Sequence, residues 1–304
     1  MGRVHAHPRL VLPLRGRRRL SGRNLLVAAA MLAPAAVLCL GAIVYAFGLE
    51  AWFSVSDAGS GSDGAFIGLA NFQYLAGWDG FWQMVVNTGV YSGASTALKL
   101  ALGLLMALAL ARPFRGRRLV SAALFLPFIF PVVLGTIAWF FLLSNVNGGL
   151  NWLLTSAHVI AQPFEWRGRL PMVSVVAVNV WHGTALIGIL LLAALRSIPS
   201  DVLDAAAVDG AGRLRRFAHV VVPALRPAAL LGVVLSVLGN FGDFAIVELL
   251  TRGGPLGRSQ IVSTFAFENA MISGFIGLGA AVALAFVPVY VAALAVAYRL
   301  LGRE

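Results

Sequence analysis

The chain has 304 residues, 60% of them hydrophobic and only 12% charged, with a mean hydropathy of +0.87. A soluble domain carries about 25% charged residues, so this composition excludes an ordinary water-solvated core and points to lipid as the natural solvent. The net charge of +11 sits in short arginine blocks between apolar runs, a pattern of membrane orientation rather than nucleic-acid binding. The single cysteine, Cys39, allows neither an internal disulfide nor a thiolate metal cluster.

Crossing about 30 Å of hydrocarbon takes roughly 20 apolar residues. Segments of that length are predicted at Leu25–Leu49, Met84–Ala111, Leu119–Leu143, Pro171–Leu195, Pro227–Leu250 and Gly274–Leu300. Backbone in lipid must satisfy its own hydrogen bonds, so each is read as a helix. Prolines inside these runs (Pro34, Pro127, Pro131 and Pro288) are tolerated there. The predicted fold class is all-α: a polytopic membrane protein of about six transmembrane helices. Residues 1–24 form a basic, disordered N-terminal tail, residues 25–300 the transmembrane domain, with its longest loop at 196–226, and residues 301–304 a short tail.

The apolar run after Arg17–Arg19 is about 25 residues long, against 7–15 for the apolar core of a signal peptide, so the first span is read as uncleaved. The loop that follows contains Gly59-Ser-Gly-Ser-Asp-Gly64, a G-x-G-x-x-G string with neither the strand before it nor the helix after it that a dinucleotide site requires. It is read as a flexible loop. Arginines crowd the N-terminal segment, the 112–118 connection, the 196–226 loop and the tail, whereas the alternate loops hold only Arg167, Arg169, Arg252 and Arg258. By the positive-inside rule both termini are cytoplasmic, which fits an even number of spans.

Catalytic signatures are missing. Lys99, the only lysine, follows Leu98 within an apolar run, so there is no P-loop. The histidines make no H-E-x-x-H, and no G-x-S-x-G occurs. The chain is therefore read as a non-enzyme, with no metal, no catalytic residue and no cofactor of its own.

The 196–226 loop has internal structure. Ser200 is predicted as an N-cap with Asp201 in the first turn, and Ala205–Ala207 favour helix. Gly210 suits the left-handed residue that closes a helix. A second, partly buried helix is predicted from Phe217 through Val222, ending at Pro223.

Asp204-Ala205-Ala206, then Gly210, Val220, Val222 and Pro223, resembles the E-A-A loop of ABC importer permeases: E-A-A, three residues, G, nine residues, I, one residue, L-P. The spacing matches throughout. Aspartate replaces glutamate at 204, and valines replace isoleucine and leucine at 220 and 222. Further segments resemble the carbohydrate branch of these permeases: Gly68-Leu69-Ala70-Asn71-Phe72, Asn87-Thr88, and Leu250-Thr251-Arg252-Gly253-Gly254-Pro255, where Arg252 replaces a usually small residue. The resemblance covers roughly residues 25 to 300. It implies that the loop is a cytoplasmic coupling helix, with Asp204, Ala205, Ala206, Asp209, Gly210 and Pro223 engaging an ATPase. It also implies two cytoplasmic ATPase subunits that bind the ATP, a second and non-identical permease subunit, and an extracytoplasmic solute-binding protein. The expected location is the bacterial cytoplasmic membrane, and the expected cargo a sugar or related polyol.

Small or polar residues recur every fourth position at Ala228, Gly232, Ser236 and Asn240, and again at Gly89, Gly93, Ala97 and Ala101. Each set lies on one helix face, suited to close helix packing. An acid within a span costs roughly 2.5–3.5 kcal/mol on insertion scales and normally faces a cavity or partner. Asn240 and Asp243 are therefore candidates for the solute path, with Phe244 and with Asn179, Trp181 and His182 of the fourth span. His182 also reads as a hydrogen-bonded structural histidine. Lys99 and Asp243 lie ~10 Å apart in depth by helical rise, which argues against their pairing. The alternative function is an ion-coupled secondary transporter, for which Asp243 is nearly the sole intramembrane acid.

Overall fold

The computed structural model describes residues 22–301; the predicted tails lie outside these residues except at their inner edges. Two units are distinguished, 1–49 and 50–304. The first holds most of α1 (Gly22–Ser54), which carries Pro34 without interruption. That persistence is what a lipid-embedded helix allows.

The second unit begins with a turn closed by isolated bridges between Ser56 and Phe66 and between Gly59 and Ser62. Then come α2 (Ala70–Ala76) and α3 (Asp79–Ala111). With 33 residues α3 is ~50 Å long, so it starts five residues before the predicted segment and projects beyond the hydrocarbon.

The expected third span is two helices. α4 (Arg117–Ile129) and α5 (Val132–Leu142) meet at a bend of 101°. Phe130 and Pro131 are both extended there. Proline disfavours the helical conformation for its predecessor, so Pro131 ends α4 instead of being carried inside a helix, whereas Pro127 is carried inside α4. α6 (Gly149–Ser156) and α7 (Trp166–Arg169) lead to α8 (Pro171–Arg196), the expected fourth span.

α9 (Ser200–Val208) and α10 (Arg213–Arg216) form the long loop. A π turn at Phe217–Val221 joins α10 to α11 (Val222–Phe241) without a stop. The predicted second helix therefore does not end at Pro223. That residue follows the π turn directly, where the hydrogen-bond ladder has widened: the Val222 N–H bonds five residues back to Phe217 O, and the helix runs on through Pro223. The expected fifth span is likewise shifted: α11 stops at Phe241, and α12 (Ala245–Leu250) follows a break. α13 (Val262–Phe267), a π turn at Glu268–Ile272, α14 (Ile276–Ala285) and α15 (Val287–Leu301) complete the unit. Pro288 sits in the first turn of α15, not in a helix interior.

Among the described residues four helices are long and apolar enough to cross a membrane, or five if the bent α4–α5 pair is one span. The sixth expected segment comprises α14 and α15, with a turn at Phe286. Three apolar clusters hold the second unit together. One, around Tyr91, Val175, Val178, Val247 and Ile261, joins α3, α8 and α12. A second, around Leu75, Met84, Phe265 and Val282, joins α2, α3, α13 and α14. The third, around Ala107, Ile187, Leu191, Val221 and Leu225, lies at the loop end of α3, α8 and α11. At Gly103 and Gly188, α3 and α8 pack closely, so a Cβ on Gly103 would lie 3.1 Å from Gly188 N.

Of the two small-residue stripes, the one on α11 faces inward as expected. A Cβ on Gly232 would lie 3.2 Å from Ile187 Cδ1, and Ser236 and Asn240 are buried. The stripe on α3 does not. Gly89 and Gly93 are exposed with nothing near a Cβ. The face of α3 that packs inward is polar instead: Tyr91, Ser92, Ser95, Thr96 and Lys99 are all buried.

Candidate functional site

Helix α9 starts one residue earlier than a serine cap requires. Pro199 is the extended N-cap, and Ser200 is the first helical residue, with its hydroxyl donating to Asp201 Oδ1 at 3.3 Å. Its end follows the prediction: Gly210 has φ +78°, with Gly210 N–H donating to Ala207 O at 3.1 Å and Ala211 N–H to Ala206 O at 3.0 Å. These two bonds make a Schellman closure. Asp204, Ala205, Asp209 and Gly210 are exposed, and Ala206 and Pro223 half-buried. Leu203 and Phe217 pack on the third apolar cluster, while Val208 and Leu214 are 88% and 81% exposed. The loop is thus pinned by two side chains and presents small and apolar ones outward.

The polar core lies where α3, α8 and α11 meet. Lys99 Nζ donates to Asn240 Oδ1 at 2.9 Å, and both residues are buried. Asn240 Nδ2 donates to Ser92 O, Thr96 Oγ1 and Ser236 Oγ at 3.3, 3.3 and 3.4 Å. The hydroxyls of Thr96 and Ser236 are 2.9 Å apart. Lys99 therefore finds its partner in the amide of α11 rather than in Asp243, as the depth argument requires.

Asp243 sits in the break between α11 and α12, not within a continuous helix. Its Oδ2 accepts from Tyr91 Oη at 2.5 Å and from Asn179 Nδ2 at 2.9 Å, and its Oδ1 accepts from Ile246 N–H at 3.4 Å. Ser263 Oγ donates to Asp243 O at 2.7 Å. The carboxylate thus serves the N-terminal turn of α12 and ties the break to α3 and α8, while the Asp243 carbonyl ties it to α13. Ser92 Oγ, Ser95 Oγ and Asn179 Oδ1 are buried with no protein partner among the described residues.

The remaining sequence candidates are spread around this core. His182 Nε2 lies 3.2 Å from Phe130 O, the carbonyl at the α4–α5 bend. Trp181 packs edge-on against Trp139 with ring centroids 5.8 Å apart, and Gly135 leaves it room. Phe244 packs on Phe267 at 4.7 Å. Tyr91, Ser92 and Thr96 belong to the core but were not sequence candidates. Their signal was a row of hydroxyls on one face of an apolar helix.

The short segments that resembled a family all fasten backbone at the other end of α3. Asn71 Nδ2 donates to Ser54 O and Ser56 O at 3.0 and 2.8 Å. Asn87 Nδ2 donates to Gly257 O and Gln260 O at 2.7 and 3.1 Å, and Thr88 Oγ1 accepts from Val262 N–H at 3.1 Å. The turn they hold contains Arg252 at φ +50° and Gly253 at φ +71°. That turn borders a cavity of about 730 Å³, on whose wall the Arg167 guanidinium lies 3.8 Å over the Phe140 ring. Burial pushes the Arg167 pKa down, and nearby Glu165 partly opposes this.

A bundle of membrane-length helices with a pinned, outward-facing loop and a polar core defines a polytopic membrane transport subunit. Residues 99–303 match the sequence model of the binding-protein-dependent transport system inner membrane component, and the chain belongs to that family. It is the permease subunit of an ABC importer, which sets aside the ion-coupled alternative. The trehalose/maltose transport system permease protein MalF of Thermococcus litoralis is 30% identical over 221 residues, 72% of this chain and 74% of the relative. The trehalose transport system permease protein SugA of Mycobacterium tuberculosis is 30% identical over 260 residues, 84% of this chain and 81% of the relative. The fold is that of a chain in the crystal structure of a bacterial ABC transporter involved in the import of the acidic polysaccharide alginate. That match has a TM-score of 0.75 at 20% identity, and covers 92% of this chain and 96% of that one.

Proposed function

We propose that this permease carries a sugar or related polyol across the bacterial cytoplasmic membrane, with both termini cytoplasmic and no enzymatic activity of its own. The cargo class is supported by relatives described as permeases for trehalose, diacetylchitobiose and sn-glycerol-3-phosphate. Two ATPase subunits bind the ATP. A second, non-identical permease completes the pathway, and an extracytoplasmic binding protein delivers the solute. A related alginate transporter has been crystallised with its solute-bound periplasmic protein. No step in this cycle involves nucleic acid.

The observation that carries the reading is the Asp204–Pro223 loop, anchored by Leu203 and Phe217 and exposing Ala205, Val208 and Leu214 beside Asp204, Asp209, Arg213 and Arg215. ATP-driven closure of the ATPase pair pushes on Asp204, Ala205, Ala206, Asp209 and Gly210. Because α10 runs into α11 through the π turn, that push enters a membrane helix directly. Asn179, Trp181, His182, Asp243 and Phe244 border the solute path, and Asn240, buried and bonded to Lys99, Ser92, Thr96 and Ser236, stands behind it. The unpartnered Asn179 Oδ1 is an acceptor suited to a hydroxyl.

The test is ATP hydrolysis by the complete complex in proteoliposomes, with and without loaded binding protein. Ala205→Arg and Val208→Asp change exposed side chains and leave the anchors intact, so the complex should assemble and lose solute-stimulated hydrolysis. Full stimulation in both variants would remove the loop from the coupling path.

A further inference from the structure

We infer that the groove beside the α3–α4 connection holds the headgroup of an anionic glycerophospholipid from the surrounding bilayer. The groove, of about 850 Å³, is lined by Arg117, Arg118, Arg196 and Ser121, with Leu119 and Phe125 among its apolar walls. Its size falls in the range of small-molecule sites. No acid lines it: between Asp79 and Asp201 the sequence holds one acid, Glu165, which lines the separate cavity beside the turn bearing Arg252. Arg196 Nη2 reaches Leu110 O at only 3.5 Å, so its guanidinium keeps donors to spare.

The backbone adds to this field. Gly116, at φ +82°, caps α4 with no side-chain hydrogen bond. The Arg117 N–H is taken by Phe114 O at 3.3 Å, which leaves the next N–H groups of the first turn and the positive end of the helix dipole beside the same arginines. A free phosphate would use only these donors. A phospholipid uses them and also lays acyl chain along α4, whose Leu119, Leu126 and Ile129 are 77%, 53% and 74% exposed. Arginine forks match phosphate oxygens, and basic pockets between membrane helices are a recognised form of headgroup site. The charge and the adjoining apolar surface together favour lipid. The inference rests on the chain being a membrane domain, and is independent of the coupling role and of the cargo.

The complete complex is placed in nanodiscs of phosphatidylcholine with a minor share of phosphatidylglycerol, and retained lipid is counted by native mass spectrometry. Phosphatidylglycerol should be retained selectively. One arginine near the surface contributes about a fivefold factor, so R117Q/R118Q should lower retention by about tenfold or more. R117K/R118K should fall between the native chain and R117Q/R118Q, because the charge remains while the bidentate fork is lost. Ser121→Trp, which fills the groove at constant charge, should also lose it, and covers the case in which the glutamine variant fails to assemble. Inorganic phosphate at millimolar concentration should displace none. Unchanged retention in the glutamine or tryptophan variant would overturn the inference. So would equal retention of phosphatidylcholine, displacement by inorganic phosphate, or a groove closed by another subunit of the complex. Loss of ATPase coupling with lipid retention intact would instead strike only the proposed function.

Discussion

The bond between Lys99 and Asn240 is the point at which the reading of the polar core is most exposed to test. Asn240→Leu keeps the approximate side-chain volume and deletes the acceptor 2.9 Å from Lys99 Nζ. Lys99 is 5% exposed and Asn240 1% exposed, so water cannot readily take over. A hydrogen bond to a charged group is worth about 1.5–3 kcal/mol, and stranding a buried polar atom costs about 1–3 kcal/mol. Asn240→Leu should thus cost about 1.5–3 kcal/mol and Lys99→Met about 1–3 kcal/mol. The double variant removes both partners of this bond, though Ser92 O, Thr96 Oγ1 and Ser236 Oγ still lose the Asn240 amide, so it should cost clearly less than the sum of the two singles. The coupling energy should be about 1.5 kcal/mol or more, above the ~0.6 kcal/mol average for side-chain hydrogen bonds within membrane proteins. The assay is the SDS midpoint of unfolding in mixed micelles, followed by tryptophan fluorescence for the four members of the cycle. If the double variant loses the sum of the singles, Lys99 is held by something other than Asn240. A larger coupling of Lys99 to Asp243 would identify the acid as its partner and refute the geometry above.

Four further outcomes follow from local geometry. Gly103→Ala should cost about 1–3 kcal/mol in unfolding midpoint, because its Cβ meets Ile187 Cγ2 at 3.0 Å and the Gly188 backbone at 3.1 Å. Gly188→Ala should cost less than about 1 kcal/mol despite a nearer contact of 2.7 Å, because that contact is the mobile end of Met106. Asn71→Ala should lose two bonds of about 0.5–1.5 kcal/mol each and speed proteolysis near Ser56. Arg252→Gly should raise the thermal midpoint by the equivalent of about 0.5–1 kcal/mol: Arg252, at φ +50°, occupies the left-handed position closing α12, and relief of that conformation exceeds the entropy cost of glycine.

Some of this architecture is legible in the chain and some is hidden for definite reasons. The short helix α9 and its closure at Gly210 are readable because both are local: alanines favour helix, and glycine alone occupies φ +78° without strain. The bend at Phe130–Pro131 and the break at Gly242–Phe244 are hidden, because an apolar run measures length and not direction. Pro131 carried the signal of the first, but prolines in membrane helices are often accommodated, as Pro34 and Pro127 are here. Pro223 misleads in the opposite sense, since the π turn before it widens the hydrogen-bond ladder and the helix continues through the proline. The inward face of α3 is misread because glycine spacing gives a stripe without saying which way it points. In a lipid-facing helix the polar stripe is the stronger guide, and Tyr91, Ser95 and Lys99 mark it. Asn71, Asn87 and Thr88 were legible only by resemblance. Their acceptors and donors lie on loops up to 174 residues away, which no local pattern encodes.

Two interruptions in the membrane helices, at Phe130–Pro131 and Gly242–Phe244, are held from one face of α8. Asn179 and His182 are three residues apart, so they project from the same side of that helix. Asn179 binds the carboxylate at the α11–α12 break, and His182 reaches the carbonyl exposed at the α4–α5 bend. A break in a membrane helix frees backbone groups that lipid cannot satisfy, so each needs a protein partner. His182 meets such a group directly, whereas Asn179 holds the Asp243 carboxylate that accepts from the Ile246 N–H, so neighbouring turns of α8 serve both breaks. Rotation of α8 about its axis would disturb both bonds together, whereas movement of α11 alone would load only the Asp243 bonds. The α8 C-terminus leads through Ser197–Pro199 to α9, so α8 and α11 are the two helices that the outward-facing loop joins. The loop therefore grips both sides of the Asp243 break, through α11, which ends at it, and through α8, which pins it.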